Sequence, residues 1–314
     1  VHRQLHDWLR RLPANVQGAL WLVAGGFIFT STGAMIRLLS TQIESVQTAF
    51  FRAVISVILL LPLIVAGRVR PWHSKRIAGH FWRTLMGTTS MVLGFYAVTM
   101  LPLADATAIS FSQPLFSVLV AALIVGEKVR WRRWSATIMG FVGVLVMVQP
   151  GHGSLELGHL VALANAATVA LSILLVKRLS DSETPLMILT QFAIFSTLLL
   201  LPPAIWVWRW PDLWGWMLAF GVAFTATVGQ YFWVQAFKVG EMSAVAPFEY
   251  LRLPFAVFVG WLIWGEMPVI WTYVGAAIVI ASALYIAHRE AQLARERKRA
   301  ALARVDPSDK TPTP

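Results

Sequence analysis

Apolar runs of about 20 residues follow one another along almost the whole chain, from VQGALWLVAGGFIFT near its start to TYVGAAIVIASALYIA near its end. A helix rises 1.5 Å per residue, so each run matches a hydrocarbon core of about 30 Å. Inside lipid the backbone polar groups must be satisfied within the spanning segment, which leaves the helix as the form these runs take. The chain therefore reads as an all-α integral membrane protein with little left over for a soluble domain. Composition agrees: 57% of the 314 residues are hydrophobic, 13% are charged, and the mean hydropathy is +0.66.

Charged or turn-rich breaks divide the runs into ten expected transmembrane helices, near residues 18–40, 46–66, 80–100, 104–125, 134–148, 157–176, 185–208, 213–237, 243–264 and 269–287. Lys and Arg orient them through the positive-inside rule. With the N terminus inside, 22 of the 26 Lys and Arg fall in inside segments, Arg83 counted among them. Arg37 and Arg209 fall outside, and Arg52 and Arg252 lie within spans. Both termini are thus expected in the cytoplasm of a bacterial inner membrane. The net charge of +11 follows from this asymmetry and calls for no nucleic acid partner. Residues 1–15 read as an interfacial amphipathic segment leading into an uncleaved first span, and 289–314 as a basic tail set against anionic headgroups. Most of the 15 Trp fall at span ends, as anchors at the headgroup level, while Trp21, Trp233 and Trp261 lie deeper.

The chain also aligns with itself. A shift of 140 pairs Gly18 with Gly158, Arg37 with Lys177, Ser56 with Ser196, and LLLP at 59–62 with LLLP at 199–202; a shift of 139 pairs Phe116 with Phe255 and Gly126-Glu127 with Gly265-Glu266. Residues 16–150 and 151–288 are read as two copies of a five-span unit. Five is odd, so the second copy enters the membrane from the opposite side. The loops agree, since KVRWRR near the first Gly-Glu is basic and MPVIW after the second is not. Two inverted five-helix repeats around a central cavity are the plan of many secondary transporters.

The repeat, the paired Gly-Glu, and the phrases FFRAVISVILLLP, QPLFSVLVAALIVGE and YLRLPFAVFVGWLIWGE resemble the EamA family of the drug/metabolite transporter superfamily, over residues 16–288. The resemblance implies a ten-helix bundle with a central cavity between its halves. Members carry amino acids, S-adenosylmethionine, other metabolites or drugs, and YddG-type amino-acid exporters are the nearest functional analogy.

Two charges mark the ninth span, Glu249 and Arg252. A charge at mid-membrane costs about 2.5 to 3.5 kcal/mol unless it finds a partner. Their spacing of three puts both on one helix face, where they can pair. Ser110 and Gln113 hold the equivalent positions in the first copy, and inversion is expected to turn the two sets toward each other. The pair is read as presenting a donor and an acceptor to a zwitterionic or polar solute, or as a gate; a plain structural ion pair, or a proton carrier at Glu249, are the alternatives. Arg52 is the other intramembrane charge, with helix carbonyls or headgroups as its simpler destination. Tyr96, Asn165, Gln230, Tyr231, Trp233 and Tyr250 complete the candidate lining, each equally suited to an interhelical hydrogen bond.

An enzyme finds no support in the residues. The seven His lie in tails, loops or span ends, there is no HExxH, no nucleotide-binding glycine motif and no cysteine, and no cofactor or metal is expected. A channel or a non-transporting sensor is the other class of alternative. The sequence thus reads as a secondary transporter of small polar organic metabolites. Amino-acid export leads; S-adenosylmethionine uptake and drug or metabolite efflux are the alternatives. Partners are the bilayer, a small-molecule substrate and protons as a coupling ion, in a monomer or homodimer.

Overall fold

Each apolar run forms a helix. The computed structural model describes residues 13–67, 74, 76–126, 131–148, 156–180, 182–239 and 245–304, and their regular structure is helical throughout, with no strand among the described residues. The helices are α1 (Ala14–Leu39), α2 (Ser45–Val65), α3 (Ile77–Met100), α4 (Leu103–Ser110), α5 (Gln113–Leu123), α6 (Trp131–Val148), α7 (Leu157–Ser180), α8 (Pro185–Trp206), α9 (Leu213–Val239), a 3₁₀ turn (Ala246–Leu251) leading into α10 (Arg252–Trp264), and α11 (Ile270–Arg304). Six segments among the described residues are long and apolar enough to cross a membrane, counting α4 and α5 as one, and Trp134–Val148 and Ile270–Ile286 are shorter apolar helices. The chain is a multi-pass membrane protein. The expected interfacial segment at 1–12, the end of the tail beyond Arg304 and residues 127–130 of KVRWRR lie outside the described residues.

The fourth and ninth apolar runs are not continuous α-helices. Between α4 and α5, the N–H groups of Phe111 and Ser112 turn to the carbonyls of Ala108 and Ile109, three residues back. Pro114 explains this, because it has no N–H to give and its ring crowds the carbonyl of Ser110. In the second copy the 3₁₀ turn carries Pro247 in its first residues and is followed by Pro254. The same tightening therefore falls at equivalent positions, Ser110–Gln113 and Glu249–Arg252. Both runs also stop the same way. Gly126 and Gly265 take φ of +74° and +68°, a left-handed conformation that glycine adopts without the penalty of a Cβ, and the Gly265 N–H closes on the Trp261 carbonyl at 2.9 Å.

Packing is antiparallel and close. Along α1 and α9, Gly25 meets Phe232 and Gly229, Gly221 meets Met35, and Gly215 meets Gln42. Along α3 and α7, Gly79 meets Leu179, Gly87 meets Ser172, and Gly94 meets Asn165. Lipid tails are as apolar as Leu, so helices in a membrane gain by close van der Waals fit, and small residues permit it. The pairings repeat across the chain: α1 with α9 answers α7 with α3, α10 with α1 answers α5 with α7, and α9 with α2 answers α3 with α8. Two further contacts, α2 with α8 and α6 with α11, join each element to its own counterpart, and α4 packs on α10, so the fourth run meets the ninth.

Candidate functional site

The two helix breaks meet. The Phe111 and Tyr250 rings, equivalent under the shift of 139, contact each other edge-on with centroids 4.9 Å apart. Tyr250 thereby takes a packing position between the two tightened turns, with Glu249 and Arg252 on either side of it in sequence.

Glu249 and Arg252 share this place without closing into an ion pair. The Trp233 indole of α9 stands beside the Glu249 carboxylate instead. The Arg252 side chain is drawn the other way, across α1. Its Cγ lies 2.8 Å from the point a Cβ on Gly26 would occupy, and its Cζ stands 5.6 Å from the centre of the Phe29 ring. The buried Arg252 Nε has no hydrogen-bond partner. Each charge feels the other, yet each is held by a different neighbour. The one-face spacing is thus fulfilled in position and not in pairing, because Trp233 and the Gly26 gap offer the two side chains separate anchors.

The remaining sequence candidates scatter. The Ser110 hydroxyl donates to the Thr107 carbonyl at 2.6 Å and the Gln113 amide to the Ser117 hydroxyl at 2.8 Å, so both are spent within their own helices. Asn165 ties α7 to α3 through the Ser90 carbonyl, 2.8 Å from its Nδ2. Tyr96 lies near the Glu44 carboxylate at the mouth of α2. Gln230 and Tyr231 lie on the exposed face of α9, where the Tyr231 hydroxyl accepts from Gln235 at 2.7 Å. Of the deeper tryptophans, Trp21 packs edge-on against Phe232 and Trp261 is exposed.

Arg52 and Arg83 require corrections. Arg52 reaches neither a helix carbonyl nor, by any described contact, the edge of the bundle; its Nη1 rests against the Met91 sulfur of α3. The positive-inside count places Arg83 among the inside charges, although the third span is expected from residue 80. The helix begins at Ile77, and Arg83 lies within it, its Cζ stacked 3.8 Å from the centre of the Phe192 ring. Nothing in its local sequence marks it apart from that distance into the helix. On the same helix His80 is 1% exposed, with Nε2 3.7 Å from Glu183, whose carboxylate also accepts from Ser74 at 2.7 Å.

At the end of α1, on the side carrying the α10–α11 connection, Arg37 grips Glu266 through two hydrogen bonds of 2.7 and 2.5 Å and lies 4.5 Å from the centre of the Trp264 ring. Gln47 and Gln42 fasten the α8–α9 connection at the Arg209 and Asp212 backbones. Both ties stand at the end of the bundle that carries the α1–α2 connection, and the Ser74–Glu183–His80 contacts stand at the other.

Known proteins resemble the chain along nearly its full length. The model of the EamA-like transporter family matches residues 16–149 and again 156–287. A Rickettsia prowazekii (strain Madrid E) S-adenosylmethionine uptake transporter is 29% identical over 279 residues, 89% of this chain and 95% of its own. A Brucella anthropi riboflavin transporter is 31% identical over 267 residues, covering 81% and 92% of the two chains. A Pseudomonas aeruginosa (strain UCBPP-PA14) pseudopaline exporter is 27% identical over 276 residues, covering 85% and 94%. One crystal structure superposes with a TM-score of 0.59 at 17% identity, over 87% of this chain and 98% of the other, which is a likeness of fold alone.

Proposed function

The chain belongs to the EamA-like transporter family, and from that premise we propose that it is a secondary carrier working by alternating access between two inverted five-helix halves. It is a metabolite transporter and not an enzyme. The repeated helix pairings, the two left-handed glycines and the meeting of Phe111 with Tyr250 support the inverted arrangement. The loop charges support a bacterial inner membrane location with both termini in the cytoplasm. A single chain holds both halves, so a monomer suffices.

The observation that carries the substrate reading is the open Glu249 and Arg252 beside the meeting breaks. A zwitterionic head group supplies a counter-ion to each, and an α-amino acid head group has one cation and one carboxylate at short spacing. Broken helices at mid-membrane are where carriers of this plan bind their solutes. Amino-acid export is the leading form. S-adenosylmethionine uptake, the activity named for the Rickettsia relative, fits the same two charges equally well, since that solute carries the same head group.

The experiment is counterflow of labelled amino acids, S-adenosylmethionine and riboflavin into proteoliposomes, with and without a pH gradient. Accumulation of an amino-acid-bearing solute above its external concentration supports the reading, and a response to the pH gradient identifies protons as the coupling ion. Passive equilibration alone makes the protein a channel, and transport of riboflavin alone removes the zwitterion requirement.

A further inference from the structure

Glu249 and Arg252 are not the only open charges within the bundle. Arg52 of α2 and Arg83 of α3 lie close enough for the charge of one to act on the other. No carboxylate among the described residues pairs with either. Two nitrogens of Arg83, Nε and Nη1, are buried with no hydrogen-bond partner, and so is the hydroxyl of the adjacent Thr84. Arg52 Nη1 has only the Met91 sulfur, a weak acceptor. Glu183, the carboxylate beside His80 one turn earlier on α3, is engaged by Ser74.

Structural cations inside a membrane pair with carboxylates or backbone carbonyls. These two do neither, and they carry like charges. Arg83 is nevertheless held in place. Phe192 of α8 stacks on its guanidinium, while the missing side chain of Gly87 leaves a gap with Arg83 Nη1 3.1 Å and Ser172 Oγ 3.2 Å from where a Cβ would stand. Both arginines keep part of their side chains accessible, so the place can be reached. A donor set held in place, with surplus positive charge and no acceptor, is what an oxyanion needs, since guanidinium forks match the planar or tetrahedral oxygens of carboxylate and phosphate.

We propose that Arg52 and Arg83, with Thr84 and Ser172, form a binding site for a carboxylate or phosphate group between α2, α3, α7 and α8, separate from the Glu249–Arg252 site. The source is a soluble anion or the phosphate of a lipid headgroup, and the two are separated by experiment. The site does not rest on the transport reading, because its test is binding.

Thermal unfolding followed by tryptophan fluorescence reads it out. Detergent-purified protein is titrated with inorganic phosphate or acetate against chloride at constant ionic strength, and protein in phosphatidylcholine nanodiscs is compared with and without phosphatidylglycerol. Wild type is expected to show a saturable rise in Tm, with the half-saturating concentration raised at least tenfold in Arg52→Gln and Arg83→Gln and recovered in part by Arg83→Lys. A rise with phosphate or acetate assigns a soluble anion, and a rise with phosphatidylglycerol alone assigns the headgroup. In low-salt buffer without added probe, Arg83→Gln is expected to melt no lower than wild type, since it removes an unpaired charge. No rise with any probe, an equal rise in wild type and both variants, or a lower melting Arg83→Gln in probe-free buffer would each overturn the site.

Discussion

Breaking the Arg37–Glu266 grip is expected to loosen one end of the bundle without unfolding it. The grip is bidentate, at 2.7 and 2.5 Å, and the two side chains are 19% and 25% exposed. An exposed ion pair contributes about 0.2 to 1 kcal/mol. Fork geometry strengthens it, and the cation stacked on Trp264 adds about 0.5 kcal/mol more. Discounted for partial solvent screening, Arg37→Gln should cost about 1 to 1.5 kcal/mol, a shift of roughly 5- to 12-fold between states in which this end is closed and open, and Glu266→Gln, which keeps the stacked cation, about 0.5 to 1 kcal/mol. That end carries the connections the loop charges assign to the outside. The chain has no cysteine, so engineered cysteines at the exposed Thr41 and Met267 take spin labels without background. Double electron–electron resonance should show a longer-distance population in Glu266→Gln and Arg37→Gln, and its reversal in the charge swap Arg37→Glu with Glu266→Arg. An unchanged distance distribution in both single variants refutes the latch.

Further expectations follow from the packing and from one loop. Gly26→Ala meets only the flexible Arg252 stem, whereas Gly143→Ala meets the Gly275 carbonyl at 2.8 Å; the first should lower transport with little change in Tm, the second should cost about 1 to 3 kcal/mol in an unfolding titration. Asn165→Ala removes the α7–α3 hydrogen bond and should cost about 0.6 kcal/mol of stability, measured the same way, with the fold intact. The Gly215 N–H, helped by Gln42, holds the exposed Asp212 carboxyl below its usual value. A depressed carboxyl contributes stability above its unfolded value, about 3.9, that is lost as pH falls through the folded one. Asp212→Asn should therefore melt lower than wild type at neutral pH, and the difference should begin to shrink only below about pH 4 and vanish once the pH has fallen below the folded value.

Helix positions were legible because hydropathy and breaks are local. The eighth run was expected at 213–237 and is Leu213–Val239; the sixth was expected at 157–176 and ends four residues later, at Ser180. The tenth helix runs past its expected end at 287 to Arg304, since a charged amphipathic sequence can continue a helix beyond the apolar region. The breaks in the fourth and ninth runs were not seen, although Pro114 and Pro254, about three turns into the expected spans, signal them; transmembrane helices tolerate a mid-span proline, so hydropathy carries each run across it. Glu249 and Arg252 were found because charge in an apolar run is conspicuous. Their separate anchoring was not, because Trp233, Gly26 and Phe29 come from α9 and α1, far away in sequence. Arg83 was missed for a related reason: a cation near a span end satisfies the positive-inside rule whether it lies in the loop or inside the bundle.

The central claim is that Glu249 receives the cationic end of a zwitterion and Arg252 its carboxylate. The most direct measurement is transport in proteoliposomes of the best-carried amino acid, its methyl ester and its deaminated acid, by wild type and by folded Glu249→Gln and Arg252→Gln. Wild type should favour the intact amino acid over both analogues by roughly tenfold or more, about 1.4 kcal/mol for each missing charge. Glu249→Gln should lose the discrimination against the deaminated acid, and Arg252→Gln that against the ester. Wild-type rates and selectivity in both folded variants would contradict the claim.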